Sequence, residues 1–111
     1  MLFRSSGACL LISRTAFDRI GGFDESYFMY FEDVDLAARL GRLGLQIVYA
    51  PQARVTHIGG ESTRHANPAM IRAHHASAYL YLSRRYTAWY LAPLRLALRI
   101  GLWVRRIIVR S

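Results

Sequence analysis

Three carboxylates fall within four positions in the segment YFEDVDL, residues 30–36, directly after the aromatic run Tyr27, Phe28, Tyr30 and Phe31. Acids favour a helix start because the helix dipole presents positive charge there, a gain of a few tenths to about 1 kcal/mol each. The register constrains the chain more than the count does. At about 100° per residue, with Asp33 at zero, Leu36, Leu40 and Leu43 fall near about 300°, 340° and 280°, so Asp33 borders the apolar stripe of a helix predicted over Glu32 to Leu43. Asp35 and Arg39 lie on the opposite face as an i,i+4 pair, expected to decorate the surface. A half-buried Asp33 requires a partner or a task, because desolvating an unpaired carboxylate is costly. Asp33 is therefore the first candidate for chemistry, and Glu32 stands evenly between dipole partner and functional group.

At 111 residues and 53% hydrophobic side chains the chain has enough apolar material for one small domain or a piece of a larger one, and it is no disordered tail. The net charge of +8 hides a division. Residues 1–62 carry seven acids and six arginines, whereas residues 63–111 carry nine arginines and no acid. All fifteen basic residues are Arg, whose guanidinium fork suits phosphate or anionic lipid headgroups. Cys9 has no disulfide partner and sits in an apolar run, so it is expected to be buried in a protein of a reducing compartment. No signal peptide is expected, because the first residues, MLFRSSG, lack an apolar core of adequate length.

Along the chain, residues 8–13 read as a short buried strand, followed by a helix over Thr15 to Ile20 started by Ser13 or Thr15, with Asp18 at capping-box spacing from Thr15. Gly21-Gly22 stops it, and Gly44 stops the helix that begins at Glu32. Residues 46–50 form a β-branched and aromatic strand cut by Pro51, and residues 53–57 a second extended piece ending at Gly59-Gly60. Asn67-Pro68 opens a helix over residues 69–86, and a last helix runs from Leu94 to Val109. On that last helix Arg95, Arg99, Arg106 and Arg110 gather within about 60° of arc, roughly opposite Ile100, Val104, Ile107 and Ile108. Too many arginines interrupt it for a bilayer span of about 18 uncharged residues.

Twenty-four residues after Asp33, His57 opens the segment HIGGES, where glycines let backbone approach a ligand closely. Taken together, GGFDESYFMYFEDVDLAARLGRLGLQIVYAPQARVTHIGGES resembles the acceptor-side half of family 2 glycosyltransferases with the GT-A fold. It looks most like the rhamnosyltransferase and galactofuranosyltransferase type that builds bacterial surface polysaccharide. The resemblance covers residues 4 to about 62 and implies an α/β, partial GT-A (Rossmann-like) fold over residues 1–62, followed by an Arg-rich helical region over residues 63–111. It implies that Asp33 is the general base toward an acceptor hydroxyl and that Glu32 orients the acceptor or its loop. It further implies that His57 faces the donor diphosphate, as a metal ligand or as a hydrogen-bond donor, while Gly59 and Ser62 contact substrate. For His57 the plainer alternative is a turn histidine bonded to a nearby carbonyl; His74 and His75 are left as structural.

A nucleotide-sugar donor, a glycan or lipid-linked acceptor and a divalent cation, Mg or Mn, are the partners and cofactor that the family implies. The nucleotide-binding βαβ region and the acidic metal motif that precede this segment in the family find no counterpart here. The expectation is thus a fragment that is inactive alone and relies on a separate N-terminal half, with unpaired sheet edges that make soluble expression poor. The amphipathic last helix would lie in the membrane plane, with Trp103, Ile100 and Val104 toward acyl chains and Trp89 and Tyr90 at headgroup level, which puts the protein on the cytoplasmic face of the cell membrane. Packing of that helix on another domain, with solvated arginines, is the equal alternative. A noncatalytic remnant that binds a membrane or a partner is a further alternative. A nucleic-acid partner is not expected, because the apolar face is too broad and no binding motif is present.

Overall fold

The structure is a computed structural model and describes residues 7–58 and 68–108. In chain order the described residues form α1 (Arg14–Arg19), α2 (Glu32–Arg42), α3 (Pro68–Arg85), a 3-10 turn (Trp89–Leu91) and α4 (Ala92–Ile108). They fall into two compact units, one of residues 7–26 and 32–58, the other of residues 27–31 and 68–108.

In the first unit Ser13 caps α1, its Oγ accepting the Ala16 N–H at 3.2 Å. The expected Thr15–Asp18 capping box is not formed, because with Ser13 as the cap Thr15 already lies inside the helix; the Asp18 carboxylate takes the Arg14 side chain at 3.0 Å. Helix α2 ends in a paired carbonyl closure: Leu45 N–H donates to the Leu40 carbonyl and Gly44 N–H to the Gly41 carbonyl. Gly44 stands at φ +73°, the left-handed conformation that this closure needs and that a side chain would oppose. Leu36 is fully buried, and Ala37 and Leu40 are buried with it. Leu43, read from the sequence as part of the same stripe, is exposed, since it lies past the last helical turn.

No strand occurs among the described residues, so the expected strands at residues 8–13, 46–50 and 53–57 are corrected to irregular chain, with a turn and bend at Ala8 and Cys9. Alternating β-branched and aromatic residues mark segments that fit a sheet. A strand forms only when a neighbouring backbone supplies the ladder at about 4.8 Å, and none of the three pairs with another. Their side chains stay uncovered as a result: Leu11 is 98% exposed, and Val48, Tyr49 and Val55 are exposed too. Cys9, expected inside, is exposed for the same reason. The α/β expectation thus gives way, among the described residues, to helices joined by irregular chain.

In the second unit Pro68 opens α3, a position where its missing N–H has no helical partner to lose. Ser77 and Ala78 are buried on α3, and the Ser77 hydroxyl donates to the Met29 carbonyl at 2.7 Å. Phe31 lies 5.7 Å from Tyr81 between ring centroids, and the Arg84 guanidinium sits 5.6 Å over the Tyr27 ring. Pro93 falls in the first turn of α4. Arg95, placed by the helical wheel among the outward arginines, is spent inside the unit, where its Nη1 donates to the carbonyls of Tyr86 (2.7 Å) and Ala88 (2.9 Å) beyond the end of α3. Arg110 lies outside the described residues. No helix among the described residues is long and apolar enough to cross a membrane.

Candidate active site

Asp33 occupies the first turn of α2 and is half-buried. Its Oδ2 accepts the Gly7 N–H and its Oδ1 the Val34 N–H, both at 2.8 Å. One donor on each oxygen fixes the plane of the carboxylate and leaves a further acceptor lone pair on each. The helix N-terminus adds favourable charge. The partner that Asp33 was expected to need is thus backbone N–H from 26 positions upstream, and nothing in the periodicity of the sequence points to Gly7. The approach is close: a Cβ on Gly7 would lie 3.5 Å from the Asp33 Cβ and 3.6 Å from Oδ2.

Beside it, Glu32 carries an oxygen, Oε2, that is buried and has no hydrogen-bond partner. A buried carboxylate oxygen without a donor is an expensive arrangement, the kind retained where a ligand supplies the missing hydrogen bond. Asp35 behaves differently from its sequence assignment. It pairs with Arg39 at 2.7 Å as expected, but the two side chains are only 14% and 21% exposed. Arg39 Nη1 also donates to the carbonyls of Ile20 (2.7 Å) and Gly22 (2.8 Å), so the pair ties the end of α1 to α2 rather than decorating the surface. The i,i+4 spacing was legible, whereas the reach of Arg39 to carbonyls 17 and 19 positions away was not.

The turn that precedes Glu32 in sequence holds two consecutive non-glycine residues, Tyr30 and Phe31, at φ +67°. Each costs about 1–2 kcal/mol in the left-handed region, and such outliers gather at functional sites. Within the second unit the turn is held by edge-on packing of the His74 ring, 5.1 Å from Tyr30 and 5.7 Å from Phe31, together with the Ser77 bond to Met29. Burial lowers the pKa of His74 below its ordinary 6.5, and the charges of His75 and Arg105 lower it further. His75 donates from Nδ1 to the Ile71 carbonyl at 2.7 Å.

His57 is exposed and forms no hydrogen bond among the described residues, so neither the local carbonyl bond nor a bond to Asp33 is present. No three His, Cys, Asp or Glu side chains among the described residues come together to hold a metal ion. Gly59 and Ser62 lie outside the described residues. Within the first unit the structure brings together one oriented carboxylate with spare acceptor capacity, on Asp33, and one carboxylate oxygen lacking a donor, on Glu32.

Residues 2–90 match the family described as "Glycosyltransferase like family 2". The chain belongs to this family. Asp33, Glu32 and His57 all fall within the matched residues. Over 107 residues, 96% of its length, the chain is 50% identical to the N-acetylglucosaminyl-diphospho-decaprenol L-rhamnosyltransferase of Mycobacterium tuberculosis, of which this stretch makes up 35%. It is 35% identical over 80 residues, 72% of its length, to the rhamnosyltransferase WbbL of Escherichia coli K12, covering 30% of that protein. A shorter stretch of 41 residues, 37% of the chain and 13% of the relative, is 39% identical to the low-salt glycan biosynthesis hexosyltransferase Agl10 of Haloferax volcanii. The chain spans about a third of the length of the two rhamnosyltransferases. No solved structure matches it significantly.

Proposed function

We propose that this chain is the acceptor-side part of an inverting rhamnosyltransferase of GT-A type. The whole protein would move a sugar from a nucleotide-diphosphate donor to a hydroxyl of a lipid-linked glycan in the synthesis of cell-surface polysaccharide. The names of the relatives support rhamnose as the sugar, and the mycobacterial one supports an acceptor in which a sugar is joined to a polyprenol through diphosphate. In the proposed step the acceptor oxygen forms its bond to the anomeric carbon from the face opposite the leaving group. The bond from that carbon to the diphosphate oxygen breaks, the electron pair leaves with the diphosphate, and the acceptor proton passes to Asp33. A single displacement of this kind needs one general base. Glu32 Oε2 accepts a second hydroxyl of the acceptor and so orients the sugar. His57, uncommitted to any described residue, is available as a hydrogen-bond donor to the diphosphate, with Gly59 and Ser62 completing that side. No step is assigned to a metal ion.

The observation that carries this reading is the Asp33 carboxylate, fixed by the N–H groups of Gly7 and Val34 inside the family match. Asp33→Asn keeps the shape and one acceptor oxygen but cannot take the proton. In the assembled enzyme it is expected to lower kcat by about 10²–10⁴-fold with little change in acceptor KM. Transfer at the wild-type rate by a folded Asp33→Asn enzyme would rule Asp33 out as the base.

A further inference from the structure

We infer that α4 lies in the plane of an anionic bilayer, entering it through the stripe Leu96, Ile100, Trp103 and Ile107 with Arg99 set against lipid phosphate. This inference does not depend on the transferase reading. Helix α4 has two apolar stripes. Leu98 and Leu102 are half-buried in the second unit, where α4 packs on α3. The other stripe, at spacings i, i+4, i+7 and i+11, spans about 60° of arc and lies roughly opposite the first. All four of its residues are exposed, Trp103 at 61%, and exposed Val104 widens it. A helix with one stripe already packed and a second still uncovered presents a surface to something outside its own unit.

Charge decides what that something is. Residues 63–111 contain nine arginines and no acid. A second copy of the chain would bring the same arginines against them, an unfavourable pairing. Nucleic acid would satisfy the charge but leave the leucine, isoleucine and tryptophan side chains in water. An anionic bilayer satisfies both, because acyl chains take the apolar stripe and phosphates take the guanidinium groups at the boundary. Arg99 is placed for this, lying about 60° from Leu96 around the helix. It lines a shallow cavity of about 230 Å³ with Leu96, Ile100 and Trp103, which brings a phosphate-binding fork and apolar walls to one spot. Arg95 is excluded from this role by its bonds to Tyr86 and Ala88.

The test is flotation of the 111-residue chain with vesicles of equimolar phosphatidylglycerol and phosphatidylcholine, and with phosphatidylcholine alone. Flotation with the anionic vesicles is expected, accompanied by a blue shift of tryptophan emission that persists in moderate salt. Ile100→Asp should lower the partition coefficient by about tenfold or more, and Arg99→Gln should weaken binding severalfold to the anionic vesicles alone. Both positions are exposed, so the helical circular dichroism should be unchanged. Trp103→Ser repeats the measurement at a more exposed position. The inference is overturned if Ile100→Asp and Trp103→Ser float like the parent chain, or if salt releases the chain with no change in tryptophan emission. It is equally overturned if sedimentation equilibrium without lipid shows a dimer that Ile100→Asp dissociates, since a second copy then covers the stripe.

Discussion

Two Arg–Asp pairs at i,i+4 spacing occur in the first unit, and they differ mainly in burial. Arg14–Asp18 is 88% and 58% exposed, whereas Arg39–Asp35 is 21% and 14% exposed. The first is screened by water and is worth at most about 0.5 kcal/mol. Arg39 makes a charge-assisted bond of 2.7 Å to Asp35 and donates to two carbonyls at 2.7 and 2.8 Å. Hydrogen bonds from a charged donor contribute about 1.5–3 kcal/mol each in favourable cases, and removing one member of a buried pair costs about 3–5 kcal/mol. The residual exposure lets water reach the freed groups, so about 3 kcal/mol is expected for Arg39→Ala. With a urea slope of about 1.5 kcal/mol/M, the unfolding midpoint falls by about 2 M. Asp35→Asn, which leaves the carbonyl bonds intact, should cost about half as much, and Arg14→Ala almost nothing. Arg39→Lys should recover less than half of the loss, because a single ammonium cannot span a carboxylate and two carbonyls as the fork does. Urea titrations followed by circular dichroism decide the ranking. Equal midpoints for Arg39→Ala and Arg14→Ala would refute the claim that the tie from Arg39 to Ile20 and Gly22 holds α1 against α2.

Other outcomes follow from the same contacts. Because the pKa of His74 is lowered on folding, the unfolded chain takes the proton more readily. The stability this group confers is complete above about pH 6.5 and is lost as pH falls through the lower folded value. His74→Phe should flatten the dependence of the urea midpoint on pH below 6.5, and an unchanged slope would show that other groups govern it. At Gly7, the added methyl of Gly7→Ala meets Asp33 only at ordinary contact distance and should leave transfer by the assembled enzyme nearly unaltered. Gly7→Pro deletes the N–H that holds Oδ2 and should lower kcat by about tenfold or more; equal rates for the two variants would show that this bond does not orient the base.

Local chemistry in the sequence determined the helices and the place of the acidic cluster at the start of α2. Ser13, Gly21, Gly44 and Pro68 mark ends that depend only on neighbouring residues, and the helix ends they mark fall within two residues of where those signals place them. The EDVD segment set Asp33 beside the leucine stripe for the same reason, and its motif, with GGFDE and HIGGES, carried the family. Contacts between distant residues were beyond such reasoning. Only the tertiary structure joined Gly7 to Asp33, aimed Arg39 at the α1 carbonyls, set Tyr30 and Phe31 at positive φ against His74, and withdrew Arg95 from the arginine face. The strand expectations failed on the same ground: a side-chain pattern states that a segment fits a sheet, but a strand exists only where another backbone lies alongside to complete its hydrogen bonds.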